Sequence, residues 1–173
     1  MGNTTFTGAV RSENGFKVVS KDSTSGEVST SFQLDNSGLI ATPVLLTDAD
    51  TTITAAEHGS RTVVVPAVTA NRTLTLPAPA AGINFKFIYG GAAEEAENVI
   101  FDTGSTSNFI QGGIVHIDSD ADSVSVYSDG NSNRKLTLTD FGIFEINFVA
   151  KDGDSWYVWG YQQGADAPAF ADS

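Results

Sequence analysis

The chain of 173 residues contains no cysteine. Disulfides, thiolate metal sites and cysteine nucleophiles are thereby excluded. Basic residues are scarce, 9 against 21 acidic, and the net charge is −12. Nucleic-acid binding relies on clustered Lys and Arg that displace counterions from phosphates, so neither DNA nor RNA is an expected partner. The same shortage argues against binding to an anionic membrane. No apolar run approaches the ~20 residues that a helix needs to span a bilayer. The opening Met1-Gly2-Asn3-Thr4-Thr5-Phe6 lacks the basic and apolar regions of a secretory signal, so none is expected. Phe6 stands where a myristoylation motif requires Ser or Thr. Asn3-Thr4-Thr5 and Asn71-Arg72-Thr73 match the glycosylation pattern, but without an export signal both read as chance.

Charged residues make up only 17% of the chain. The surface is therefore expected to carry hydroxyls and amides rather than ion pairs. Acidity on this scale keeps a crowded protein in solution. What is abundant is Gly, Ser and Thr between short β-branched and aromatic runs, the composition of an all-β domain with many turns.

Residues 1–45 have a texture of their own. Phe6, Val10, Phe16, Val18 and Val19 are apolar islands in a Ser/Thr/Gly/Asn background. Segments 16–21 and 27–35 have the character of paired strands across an intervening turn, yet such a segment buries little by itself and gains order against a partner. Pro43 marks the expected boundary. From there to residue 163 strands recur about every ten residues. Thr73-Leu74-Thr75-Leu76 alternates and is stopped by Pro77 and Pro79. Phe85, Phe87 and Tyr89 share one face, as do Phe144, Ile146 and Phe148. Alternation with period two marks a half-buried strand. Gly112-Gly113 suggests a bulge or tight bend within a strand over 108–117. Residues 92–97 are the one stretch with helical character. Ser123 to Tyr127 and Lys135 to Thr139 read as a hairpin across Asp129-Gly130-Asn131, and Asp152-Gly153 joins the last two strands. Residues 164–173 are expected to form a loose tail. No βαβ alternation and no repeat of fixed period is found, which argues against parallel α/β, solenoid and propeller folds. The expected architecture is an antiparallel β-sandwich or jelly-roll-like domain over 46–163, preceded by an extended arm.

No nucleophile with its base, metal cage or phosphate loop is found, and neither catalysis nor a cofactor is expected. Asp118-Ser119-Asp120-Ala121-Asp122 has the alternation of a calcium loop, but Ser123 and Asp129 stand where such a loop needs Gly and Glu; it reads as a solvated turn. His58 and His116 sit in no catalytic signature. Glu94, Glu95 and Glu97 cluster in a connection that reads as exposed, with no specificity for glycoside hydrolysis. Strand parity divides the last aromatic run: Trp156 and Val158 face one side, Tyr157, Trp159 and Tyr161 the other. The second set forms either a carbohydrate-stacking platform or, as favoured here, a contact with a neighbouring subunit.

Several stretches together resemble a β-domain of tailed-bacteriophage virion proteins. They are Thr73-Leu74-Thr75-Leu76-Pro77-Ala78-Pro79-Ala80-Ala81-Gly82, Phe85-Lys86-Phe87, Ile110-Gln111-Gly112-Gly113 and Trp156-Tyr157-Val158-Trp159-Gly160. The opening from Asn3 to Phe16 is similar to the start of small structural proteins of marine phages. The resemblance implies a head decoration (cement) protein on the outer capsid surface of the virion. Its implied partner is the major capsid protein, and its implied state a homotrimer. It carries no catalytic residues across. Similar domains occur in tail fibres, so a receptor- or carbohydrate-binding tail module is the alternative. On the decoration reading, Phe6, Val10, Arg11 and Phe16 are the expected capsid contacts of the arm. Arg11 is singled out because basic residues are few.

Overall fold

Pro43 separates two units. The computed structural model describes residues 12–13, 15–35, 38–118, 120 and 122–172, and the chain divides into residues 1–42 and 43–173.

The first unit is a three-stranded antiparallel sheet of β1 (Phe16–Lys21), β2 (Val28–Asp35) and β3 (Gly38–Ala41), in that order. The expected pairing of 16–21 with 27–35 is present. Asp22 holds the turn between them, its carboxylate accepting the N–H of Thr24 at 2.8 Å and of Ser25 at 2.6 Å. This is the usual way for an Asp side chain to fix a turn. Among the described residues the unit is therefore a small sheet rather than a purely extended arm.

The second unit begins with β4 (Val44–Leu45), β5 (Thr51–Thr52) and a single helical turn α1 (Ala55–His58). Then come β6 (Thr62–Val65), β7 (Arg72–Thr75), β8 (Asn84–Tyr89), β9 (Val99–Asp102) and β10 (Phe109–Asp118). β11 (Val124–Tyr127), β12 (Lys135–Leu138), β13 (Phe141–Ala150), β14 (Ser155–Gly164) and β15 (Ala169–Ala171) complete it. One sheet has seven strands in the order β11-β10-β14-β13-β8-β6-β4; the other has five, β15-β12-β9-β7-β5. The all-β, sandwich-like architecture expected from the alternation is what the chain adopts. The pairing is mixed rather than purely antiparallel: β4, β6 and β8 run parallel, as do β5, β7 and β9, and as do β10 and β14.

From β4 to β9 the chain winds as a coil, laying each successive strand in the opposite sheet. A parallel pair needs a crossover, and here the crossover is itself a strand of the facing sheet. The turns of the coil differ in length, which is why no fixed period shows in the sequence. Pro66 follows β6 directly and Pro77 follows β7 after Leu76, and each stops its strand. Between the sheets lies one core, with Phe85, Phe87, Phe148 and Trp156 of the larger sheet against Phe101, Leu136 and Leu138 of the smaller. Phe101 touches rings on the facing sheet at 4.9 Å (Phe87) and 5.2 Å (Phe148) between centroids. Fully burying each such ring contributes roughly 1.5–3 kcal/mol.

Five local expectations are corrected. Residues 123–127 and 135–139 do not form a hairpin: β11 pairs with β10, and β12 lies between β9 and β15 in the other sheet. The reason is burial, since Leu136 and Leu138 fit the core face while β11 is largely exposed. The tail expected to be loose carries β15, paired with β12, and Phe170 packs against the core. Residues 92–97 are bends rather than a helical turn. Gly112 marks a close approach, not a bulge: β10 and β14 stay in register, and a Cβ at Gly112 would lie 2.3 Å from the Val158 carbonyl oxygen. The expected arm runs to residue 45, but Val44 and Leu45 belong to the second unit through their pairing with β6.

Candidate functional site

Two exposed sheet faces stand out, one in each unit. Of the expected capsid contacts, Phe6, Val10 and Arg11 lie outside the described residues. Phe16 opens β1 and is 50% exposed. Register places it in a row with Leu34 and Leu39, and Val18 in the next row with Phe32 and Ala41. Residues directly opposite one another share a face, so these six form one apolar surface. Leu39 is 71% exposed and Val18 60%. The shift of register between Val18 and Val19 leaves the opposite face mixed, with Lys17, Val19, Lys21, Gln33 and Ile40.

The second face is the outer surface of the seven-stranded sheet. Parity divides β14 as expected: Trp156 and Val158 are wholly buried, while Tyr157 and Trp159 are each 46% exposed. Register then assembles neighbours that no motif connects. One outward row runs Tyr127, Gly113, Trp159, Asn147, Lys86; the next runs Ser125, Val115, Tyr161, Glu145, Ile88. A Cβ on Gly113 would lie 2.5 Å from Cδ1 of Tyr127, so the Tyr127 ring leans over the glycine toward Trp159. The Tyr157 and Trp159 rings sit 6.2 Å apart at 39°. Between Tyr127 and the β14 aromatics runs a groove of about 540 Å³, also lined by Ser125, Glu145 and Asn147. Glu145 accepts from Lys86 at 3.0 Å and from Asn147 Nδ2 at 3.2 Å. Lys86 foremost, then Asn147, holds its carboxyl below the usual range.

The remaining candidates resolve into structural roles. His58 is buried in α1, where its Nδ1 accepts the Thr54 N–H at 3.1 Å. His116 is buried with Nε2 at 2.9 Å from the Gly164 carbonyl. Glu94 accepts the Ala165 N–H at 2.8 Å, and Glu95 accepts the Tyr89 hydroxyl. Burial first, then Glu95, pushes the Tyr89 phenol well above its ordinary value. The carboxyls that do meet are Asp140 and Asp166, and their hydrogen bond raises Asp140; no spacing in the sequence signalled this pair. Asp118 bonds the N–H of Asp120 at 2.7 Å as a turn, and among the described residues no group of three His, Cys, Asp or Glu converges as metal ligands do.

Compared with protein-family models, with curated proteins and with solved structures, the chain matches none.

Proposed function

We propose that this protein is a structural component of a phage virion that decorates the outer capsid and stabilises it by cross-linking subunits of the major capsid protein. The observation that carries the reading is the apolar face of the first unit. Phe16, Val18, Leu34 and Leu39 are half or more exposed, and a three-stranded sheet with no second layer among the described residues cannot bury them itself. Apolar patches left open in this way mark contact surfaces. The first unit carries three basic and four acidic residues, the second six and seventeen. The nearly neutral unit is thus the one that docks without charge repulsion, and the acidic unit faces solvent. Many copies, each gripping two or more capsid subunits as a homotrimer, stabilise the shell through avidity.

The test is to mix purified protein with expanded, undecorated phage heads and image them by cryo-electron microscopy. Density is expected at three-fold and quasi-three-fold positions, and is expected to vanish when the first 20 residues are deleted. Normal decoration by the truncated protein would remove the arm from the contact. Bare heads with the full chain would overturn decoration. The outer aromatic face of the second unit favours a second reading, a receptor-binding module of the tail.

A further inference from the structure

We infer that the groove between Tyr127, Trp159 and Tyr161 is a binding site for a neutral oligosaccharide. The inference stands on the second unit alone and does not depend on where the protein sits in a virion.

Three observations carry it. The aromatic rings line both sides of the groove, Tyr127 on β11 and Trp159 and Tyr161 on β14, with β10 between them. Tyr127 leans over Gly113, Trp159 follows on the next strand, and Tyr161 stands one outward step further along β14. Outward positions on one strand lie ~6.8 Å apart, a spacing suited to successive rings of a sugar chain, each offering a C–H face to an aromatic plane. Next, polar groups alternate with the rings. Asn147 lies beside Trp159 and Glu145 beside Tyr161 in the register of β13 with β14, and Ser125 lines the far wall. Hydroxyl, amide and carboxylate at these positions match a ligand rich in hydroxyls. Then there is charge. The two charged groups of these rows, Lys86 and Glu145, neutralise each other at 3.0 Å. No free cation is left for an acidic sugar, and the chain's net charge of −12 repels one. A neutral glycan is what remains.

The volume agrees with this occupant. About 540 Å³ lies within the ~300–1,000 Å³ of small-ligand sites, and two or three sugar rings would fill it.

The chain supplies its own reporter. It has two tryptophans, of which Trp156 is wholly buried and Trp159 is 46% exposed, so acrylamide quenching reads Trp159. The full-length protein is titrated with cello-, malto-, xylo- and chito-oligosaccharides of three to six units, with oligo-alginate as the acidic control. At least one neutral series is expected to bind, to shield Trp159 from quencher, and to lose tenfold or more in affinity in Trp159→Ala and in Asn147→Ala. Trp159→Phe is expected to retain part of the binding. Circular dichroism confirms that each variant is folded. No binding to any neutral series at millimolar concentration would overturn the site, as would binding that Trp159→Ala leaves intact. An assembly in which Trp159 is already shielded without sugar, and which Trp159→Ala dissociates, would reassign the face to contact between copies of this chain.

Discussion

The two units are built from the same material and differ in what covers it. Both consist of short strands alternating Thr, Val, Phe and Leu. In the second unit the apolar half of most strands meets a facing sheet, and Phe87, Phe101 and Phe148 are wholly buried. In the first unit Phe16, Val18 and Leu34 have equal hydrophobicity and stay at least half exposed. Strand propensity thus makes sheets in both, but only a second layer makes a core. Among the described residues, the first unit has the strands without that layer.

The comparison is sharpest in paired truncations. Phe148→Ala is expected to cost about 3–5 kcal/mol, the usual range for a fully buried ring, read as a lowered urea midpoint. Leu39→Ala in the first unit is expected to stay within about 0.5 kcal/mol, as exposed substitutions do. A large loss at Leu39 would mean that its face is covered in solution, and would erase the contrast.

A smaller effect tests the backbone of the second unit. Gly160 has φ +151°, and a Cβ there would lie 2.0 Å from the Glu145 carbonyl oxygen. Gly160→Ala is expected to destabilise by about 1–3 kcal/mol in the same urea experiment, with the strand pairing of β13 and β14 displaced. Unchanged stability would show that the two central strands are looser than their register implies.

The smallest effect is read in acid. Arg72 at 2.6 Å, then Thr69, holds the Asp48 carboxyl down from 3.8 to about 2. A depressed carboxylate contributes stability above its unfolded value and loses it as pH falls through the folded one. The second unit should therefore lose a modest increment of thermal stability between pH 3.8 and about 2, and Asp48→Asn should abolish that increment. Asp22 in the first unit is also lowered, but by Ser25 and Thr24 within its own turn. Asp48 instead ties residues 21 and 24 positions away. Acid is expected to loosen long-range order in one unit and only a turn in the other.

Strand positions were legible because alternation is a direct imprint of one-sided burial: Leu74 and Leu76, Phe85 and Phe87, and Phe144, Ile146 and Phe148 all point inward as their parity requires. Pairing was not legible, because a period of two says which face a residue takes and nothing about its neighbour. Asp129-Gly130-Asn131 has good hairpin chemistry, yet it carries the chain from one sheet to the other. Asp129 accepts the N–H groups of Asn131, Ser132 and Asn133, and these turn bonds serve a crossover as well as a hairpin. The site divides in the same way. Parity alone put Tyr157, Trp159 and Tyr161 on one side. Tyr127, Asn147 and Glu145 reached them only through register, over separations that leave no local trace.

The coil from β4 to β9 also sets an order in time. Across residues 44–102 no strand pairs with its successor, so no hairpin can nucleate there, and each pairing must wait for closure of a loop that includes a strand of the other sheet. β13 and β14, joined by a short turn, have no such delay. Amide protons of that hairpin should become protected first during refolding and those of the coil last, as pulse-labelled hydrogen exchange can record. The part of the chain next to the first unit would then be the last to close.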